Sequence, residues 1–259
     1  MTKLQIGLIL PDVLGTYGDD GNALVLCQRA RMRGLEADII PIKLGEPVPD
    51  SLDVYTLGGG EDVAQILAAE HLIADGGLTR AANAGRPIIA ICAGLQVLGE
   101  SFRASGRIID GVELIDATTA SMAERAIGEV SSEPTRAGIT AELTEPLTGF
   151  ENHMGATILG PAAQPLGKLT RGQGNADTAA TADLADASEQ RTAEGAVQGS
   201  VIATYMHGPA LARNPQLADL LLAKAQGIAL ADLEPLDIPA VSQLRTERFN
   251  ASKPPRSQL

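Results

Sequence analysis

Residues 88–96 read Ile-Ile-Ala-Ile-Cys-Ala-Gly-Leu-Gln. Four consecutive apolar residues are typical of a central strand that is buried on both faces of a sheet. The small residues after the cysteine suit a tight turn into a helix. This pattern predicts that Cys92 lies at the carboxyl end of a parallel strand. Open α/β sheets bind their ligands at that edge, so Cys92 is a candidate functional residue.

Strand-like and helix-like stretches alternate on both sides of this segment. Such alternation predicts an α/β fold, in which helices cover both faces of a mainly parallel sheet. We expect strands over 4–10, 37–42, 53–57 and 87–91. We expect helices over 22–33, 61–84 with a break at the glycines 76–77, and 93–102.

The second half of the chain has a less regular pattern. It contains short β-like pieces within 107–159, an expected long loop with at most a hairpin over 167–194, one strand over 197–205, and a helix over 215–226 capped by Asn214. We therefore predict one domain over 1–227 and a C-terminal extension over 228–259. The polar, proline-containing end of that extension, 251–259, is expected to be mobile.

The composition of the 259 residues restricts the class of protein. Because only 2% of the residues are aromatic, the core must be built from Ala, Val, Leu and Ile. A net charge of −12 repels phosphate backbones, so nucleic acid is not expected as a partner. The two cysteines form no disulfide framework or C-x-x-C metal motif, and the sequence has no signal-peptide layout or membrane span. We expect a cytoplasmic protein.

A cysteine at the start of a helix is well placed for nucleophilic chemistry. The positive end of the helix dipole favours the thiolate, and the backbone N–H of Ala93 is free to bind an oxyanion. Gly58, Gly59 and Gly60 follow another strand at the same edge, where glycines let N–H groups approach a developing negative charge. The simpler alternatives are a small buried cysteine and a plain turn. Three consecutive glycines favour the oxyanion loop.

The chain contains three histidines, His71, His153 and His207. His207 ends a predicted strand and precedes a Gly-Pro pair, so it leaves the sheet at the edge expected for Cys92, where it can act as a base. His71 lies in a helical stretch and is expected to be structural or exposed. His153 lies in the irregular central segment and is the competing base, with packing as its simpler explanation.

Together these residues resemble the class I (triad-type) glutamine amidotransferases. The glycine loop, the elbow over 92–99 and a later histidine occur in the order of that family. The ending Tyr-Met-His-Gly-Pro at 205–209 is similar to the cobyric acid synthase-like branch. Segments 17–22, 125–128 and 150–153 are similar to the GatD family of free-standing subunits. The resemblance implies a three-layer, flavodoxin-like fold with Cys92 as nucleophile and His207 as base.

The same resemblance implies a set of substrate-binding residues. Arg125 would hold the α-carboxylate of glutamine, and its planar guanidinium suits a carboxylate. The alternative for Arg125 is an exposed arginine at the start of a strand. Gly59, Gly60, Ala93 and Gln96 would bind the rest of the substrate.

Two positions depart from the family pattern. Ala90 stands two residues before the nucleophile, where many relatives have glycine. Pro209 replaces the usual catalytic glutamate, which leaves the histidine base without an identified carboxylate. We expect that carboxylate to come from a partner subunit, or from the segment 167–194, where the candidates are Asp177, Asp183 and Glu194.

The sequence also lacks features that ATP-dependent chemistry needs. It contains neither a G-x-x-x-x-G-K-[ST] phosphate loop nor a G-x-G-x-x-G fingerprint. Ammonia made by this chain must then be used elsewhere. The GatD resemblance implies a heterodimer with a MurT-like, Mur-ligase-type subunit, which would carry ATP and magnesium, while this chain would carry no cofactor or metal. The ammonia would amidate the α-carboxylate of D-glutamate in the lipid II stem peptide, in peptidoglycan biosynthesis.

Three other functions compete with this one. The chain could serve another ligase, such as one of cobyrinate type, or it could be a non-catalytic binding module on the same fold. A cysteine hydrolase of the DJ-1 group is disfavoured, because that group has a histidine directly after the nucleophile, where this chain has Ala93.

Overall fold

The structure, a computed structural model, describes residues 3–15 and 17–250. Its central sheet has six strands in the order β11-β12-β4-β3-β1-β2. All neighbours in this sheet are parallel except β11 and β12, which are antiparallel. The strands are β1 (Leu4–Ile9), β2 (Ala37–Ile42), β3 (Val54–Leu57), β4 (Ile88–Ile91), β11 (Ala196–Gln198) and β12 (Val201–Thr204). The predicted α/β fold with a mainly parallel central sheet is confirmed.

Helices pack against this sheet in two groups. One group comprises α1 (Gly21–Met32), α6 (Ala210–Arg213) and α7 (Pro215–Ala225), which contact one another. The other comprises α2 (Asp62–Asp75), α3 (Gly77–Asn83) and α4 (Ala93–Leu98), in which α2 contacts both of its partners. The expected break at glycines 76–77 is confirmed, because Gly76 has a φ of +67° and separates α2 from α3.

A second sheet, which the sequence indicated only as short β-like pieces, follows α4. Its strands run in the order β10-β9-β7-β5-β6, and β8 pairs with β7. They are β5 (Ser101–Ala104), β6 (Arg107–Asp110), β7 (Ala117–Pro134), β8 (Leu147–Leu159), β9 (Gly167–Arg171) and β10 (Ala193–Glu194). The long antiparallel pair β7–β8 contains a register shift between Ser121 and Ala126.

Three of the expected elements are wrong in detail. The helix predicted over 93–102 ends at Leu98, because the following residues form β5 and pair with β6. The single strand predicted over 197–205 is a hairpin, which turns at Gly199 with a φ of +56°. The segment 167–194 contains the antiparallel pair β9–β10, which the expected hairpin allows, but also the short helix α5 (Ala187–Thr192), which was not expected.

Asn214 precedes α7 as predicted, but its side chain does not cap the helix. Its Oδ1 accepts a hydrogen bond from the backbone N–H of Thr148 at 2.9 Å, and its Nδ2 donates to the carbonyls of Thr148 and Ala210. Asn214 therefore ties the helix to β8 instead of satisfying the helix N-terminus.

The core is aliphatic, as the composition required. Apart from Tyr55, Tyr205 and Phe102, the largest fully buried side chains are those of leucine and isoleucine. Cys27 is buried within α1, as expected, and both cysteines are free.

The described part of the C-terminal extension contains a 3₁₀ turn (Leu230–Asp232) and α8 (Pro239–Asn250). Arg245 of α8 donates to the carbonyl of Arg213 at 2.6 Å, and Arg33 of α1 donates to the carbonyl of Glu234 at 2.5 Å. These bonds attach residues 228–250 to the helices α1 and α6. The end of the extension, 251–259, lies outside the described residues. Among the described helices, none has the length and apolar character needed to cross a membrane.

Candidate active site

Cys92 occupies a strained turn between β4 and α4. Its φ of +51° and ψ of −104° lie in a region that residues with a side chain rarely adopt, and such strain persists only where the surroundings hold it. The Cys92 amide donates to the carbonyl of Thr204 at 2.8 Å, which anchors the turn to the neighbouring strand β12. The side chain stands at the carboxyl end of the parallel sheet, as predicted.

His207 reaches the same edge because β12 lies beside β4. Thr204 of β12 is paired with Ile91 of β4, so the segments that lead to His207 and to Cys92 leave the sheet side by side. The His207 backbone N–H donates to the carbonyl of Phe150 at 2.9 Å, so the second sheet fixes the position of the histidine.

Asp19 supplies the carboxylate that the sequence analysis did not identify. Its side chain is fully buried, and its two oxygens lie 3.2 and 3.1 Å from Nδ1 of His207. Asp19 belongs to the loop between β1 and α1, and it also accepts a hydrogen bond from the backbone N–H of Gly208 at 3.3 Å. The expectation that the carboxylate comes from a partner or from 167–194 is therefore wrong for this structure.

The acidic residues proposed from 167–194 have other partners or positions. Asp177 accepts hydrogen bonds from the backbone N–H groups of Ala123 and Ala180. Asp183 is exposed. Glu194 is fully buried and accepts a hydrogen bond from the Tyr205 backbone, and burial raises the pKa of its carboxyl to about 7. None of the three is within hydrogen-bond distance of His207 in the described structure.

The electrostatic surroundings favour a protonated His207. Burial alone would lower the pKa of the imidazole, but the Asp19 carboxylate at Nδ1 and the nearby sulfur of Cys92 outweigh burial and raise it to about 10. An imidazolium beside Cys92 stabilises the thiolate form, which is the nucleophilic form of cysteine.

Gly59 lies where the three side chains meet. A Cβ at this position would stand 3.0 Å from the Asp19 carboxylate, 3.1 Å from Cε1 of His207 and 3.4 Å from the Cys92 Cβ. The Gly59 amide donates to Asp19 at 3.0 Å and is therefore not available to an oxyanion, unlike the expectation from sequence. The amide of Gly60 has no hydrogen-bond partner among the described residues, and that of Ala93 is the first of α4, so these two remain as oxyanion donors.

A cavity of about 410 Å³ opens beside Cys92. Gly60, Gln96 and Arg125 all line it, so the structure brings these predicted residues together with the cysteine. Arg125 lies at the end of the register shift in β7 and donates to Oδ1 of Asn152 at 3.2 Å. Gln96 donates from Nε2 to the hydroxyl of Tyr205 at 3.2 Å, which fixes the orientation of its amide.

Residues 5–215 match the sequence-family model of the CobB/CobQ-like glutamine amidotransferase domain. This chain belongs to that family. It is 30% identical over 251 residues to the lipid II isoglutaminyl synthase (glutamine-hydrolyzing) subunit GatD of Staphylococcus aureus (strain N315), covering 96% of this chain and 95% of the relative. It is also 30% identical over 227 residues to the subunit of the same name from Streptococcus pneumoniae (strain ATCC BAA-255 / R6), covering 86% and 80%.

Longer relatives agree with this membership, and a solved structure shares the fold. The cobyric acid synthase of Methylorubrum populi is 29% identical over 184 residues, which are 68% of this chain but 32% of that protein. A crystal structure described as a glutamine amidotransferase superposes with a TM-score of 0.53 at 18% identity, covering 85% of this chain and 98% of the other. At that identity the superposition supports the fold alone.

The cavity also contains residues that were not predicted from sequence as part of the site, among them Tyr17, Gln65 and His153. Tyr17 contacts His207 edge to face, with 5.0 Å between ring centroids, and its hydroxyl lies 3.4 Å from Glu61. Gln65 and His153 line the cavity with Cys92. Gln65 follows the glycine loop and lies on the first turn of α2, which starts at the edge of the sheet where Cys92 lies. That position could have indicated from sequence that Gln65 belongs to the site. His153 was considered only as a competing base.

The remaining histidine has a structural role. Nε2 of His71 lies 3.0 Å from the carbonyl of Glu46, and His71 does not line the cavity beside Cys92. This agrees with its expected role. Within residues 3–15 and 17–250, no group of three or more His, Cys, Asp and Glu side chains is arranged to hold a metal ion.

Proposed function

We propose that this amidotransferase domain hydrolyses L-glutamine to L-glutamate and ammonia, and that the ammonia serves an ATP-dependent ligase of the Mur-ligase type. The observation that carries this proposal is that the His207–Asp19 pair lies next to Cys92, which lines a cavity that also contains Arg125. The nucleophile, the base and the orienting carboxylate of a triad are thus present in one chain.

The first half of the reaction forms a thioester. The Cys92 thiolate attacks the side-chain carbonyl carbon of glutamine, and the carbonyl oxygen becomes an oxyanion that accepts hydrogen bonds from Gly60 and Ala93. His207 donates its proton to the amide nitrogen as the C–N bond breaks, which releases ammonia. Asp19 holds the imidazole in the orientation that this transfer needs.

The second half returns the enzyme to its starting state. Water attacks the thioester carbonyl and gives a proton to the neutral His207. The C–S bond then breaks, which regenerates the Cys92 thiolate and releases glutamate. Arg125 would hold the α-carboxylate of the substrate throughout, through the paired N–H donors of its guanidinium.

The partner and the acceptor are inferred from the relatives. Two relatives that match most of this chain are named as GatD subunits of lipid II isoglutaminyl synthase. By analogy, we propose a heterodimer with a MurT-like subunit, which would bind ATP and magnesium in the cytoplasm and amidate the α-carboxylate of D-glutamate in lipid II. A cobyrinate-type ligase is the second candidate partner, because cobyric acid synthases also match this chain.

The proposal is tested by measuring ammonia and glutamate released from L-glutamine by the purified full-length chain, alone and with a co-expressed MurT-like subunit. We expect equal amounts of both products, and no release from the Cys92→Ala variant. Amidation of lipid II by the pair, compared with amidation of a cobyrinate acceptor, separates the two candidate partners. Absence of glutamine hydrolysis under both conditions would refute the proposed function.

A further inference from the structure

Two residues that line the cavity beside Cys92 each have a buried acceptor atom without a partner. The atoms are Oε1 of Gln65 and Nε2 of His153, neither of which forms a hydrogen bond within the described residues. The exposed fractions of these residues are 7% and 2%, so bulk water does not solvate them freely. An unpaired buried acceptor is unfavourable, and native sites of this kind are commonly completed by a ligand or an ordered water.

The orientation of the Gln65 amide is fixed by the glycine loop. Its Nε2 donates to the carbonyl of Gly60 at 3.1 Å. A carbonyl can only accept, so the nitrogen must face Gly60 and the oxygen must be the free end. Gln65 therefore offers an acceptor, not a donor, to whatever occupies the cavity.

The ring of His153 is fixed just as firmly. It stacks on Tyr205, with 3.6 Å between centroids and 9° between planes, and its Nδ1 lies 2.9 Å from the carbonyl of Gly155. Because that carbonyl only accepts, Nδ1 carries the proton and Nε2 presents a lone pair. Burial lowers the pKa of His153 to about 3, so the ring stays neutral and Nε2 stays an acceptor at neutral pH.

We propose that Oε1 of Gln65 and Nε2 of His153 accept hydrogen bonds from the α-ammonium group of L-glutamine. This inference rests on the proposed glutaminase function and assigns the part of the site that selects an α-amino acid. An ammonium group carries N–H donors and no acceptor, which matches two unpaired acceptors. Both residues line the cavity that also contains Cys92 and Arg125, which are proposed to hold the reacting amide and the α-carboxylate of the substrate.

Two acidic residues that line the cavity, Glu61 and Asp62, compete for the ammonium. Both are exposed: Glu61 lies 3.4 Å from the hydroxyl of Tyr17, and Asp62 accepts a hydrogen bond from the backbone N–H of Ser105 at 2.5 Å. A solvated carboxylate at the rim attracts a cation weakly, whereas buried acceptors without water gain a full hydrogen bond. The buried pair is therefore the better ammonium site.

The test compares two substrates that differ only in the α-amino group, L-glutamine and glutaramate. Gln65→Met and His153→Phe keep the size of each side chain and remove the acceptor atom. We expect each change to lower kcat/KM for L-glutamine by roughly 10- to 100-fold, the effect of losing a hydrogen bond to a charged group. The value for glutaramate should stay within about threefold. Inhibition by L-glutamate and by glutarate provides the same comparison without turnover.

Matched controls are Gln5→Met and His71→Phe, which make the same chemical changes outside the cavity and should leave both substrates unaffected. Equal losses for the two substrates would mean that the pair acts on the reacting amide or on the fold, and would overturn the inference. The inference would also be overturned if both variants kept the unmodified ratio of kcat/KM for L-glutamine to kcat/KM for glutaramate, or if only Glu61→Gln lowered that ratio. If one variant fails to fold, the other decides. Failure of the unmodified protein to hydrolyse either substrate would refute the proposed function itself.

Discussion

Replacing Asp19 by asparagine removes the charge behind His207 while keeping the shape of the side chain. The carboxylate now lies 3.1 Å from Nδ1 of His207 and also accepts from the amides of Gly59 and Gly208. An asparagine amide can turn a donor toward Nδ1, which moves the imidazole proton to Nε2. In that tautomer the nitrogen nearest the thiol can no longer take the proton of Cys92.

The size of the effect follows from these contacts. Loss of one hydrogen bond to a charged group is worth about 1.5–3 kcal/mol, which is roughly a 10- to 150-fold change in rate. The wrong tautomer adds to this, and in a serine-protease triad the equivalent change lowers kcat by about 10⁴. We therefore expect Asp19→Asn to lower the kcat of glutamine hydrolysis by roughly 10² to 10⁴.

The assay combines kinetics with titration of His207. In the unmodified protein the pKa of His207 is raised to about 10, so the imidazolium persists to higher pH in the folded than in the unfolded chain. Its contribution to stability is complete below the ordinary pKa near 6.5 and is lost as the pH rises toward 10. The variant should show a lower pKa of His207 by NMR, and a smaller loss of unfolding free energy between pH 6 and pH 9.

Asp20→Asn is the matched control, because Asp20 is adjacent in sequence and makes no hydrogen bond to His207 in the described structure. We expect it to retain kcat within about threefold. Turnover of Asp19→Asn within about threefold of the unmodified chain, with an unchanged titration of His207, would refute the triad described here. Full recovery of that variant upon addition of the ligase subunit would show that the partner supplies the carboxylate.

Three further changes test the rest of the site. Cys92→Ser should abolish glutamine hydrolysis without unfolding the protein. A glutamine-analogue electrophile should label Cys92 but not Cys27, which is 2% exposed, and peptide mapping identifies the labelled cysteine. Arg125→Ala should raise KM for glutamine roughly 30- to 150-fold with a smaller change in kcat, and unchanged kinetics would assign the carboxylate to another group. Gly59→Ala should reduce kcat while the protein stays folded, because the added Cβ would displace Asp19, His207 and Cys92. A folded variant with unchanged kcat would contradict that geometry.

The sequence was sufficient to predict the elbow and its surroundings. An apolar strand followed by a cysteine and small residues has few structural solutions, and β4 ends one residue before Cys92 as expected. The position of His207 followed from the same logic, since a strand parallel to β4 must end at the same edge. Local patterns were enough because each of these residues is positioned by the strand that directly precedes it.

Asp19 could not be identified from local sequence patterns. It lies 188 positions from His207, in a loop rich in glycine and aspartate that offers two adjacent carboxylates. Sequence order placed the loop at the functional edge, because it follows β1, but could not choose between Asp19 and Asp20. That choice depends on burial. The Asp19 side chain is fully buried against His207. Asp20, the residue just before α1, is only partly buried.

The second sheet escaped prediction for a related reason, and it is also what completes the site. Its longest pair, β7 and β8, joins residues far apart in sequence, and a register shift interrupts the alternation by which a strand is recognised. That shift ends beside Arg125, next to the cavity, and β8 carries both His153 and the carbonyl of Phe150 that holds the His207 backbone. The parallel sheet therefore positions Cys92 and His207, while the second sheet carries Arg125 and His153. These are two of the three residues proposed for the amino-acid end of the substrate, and the third, Gln65, lies on α2.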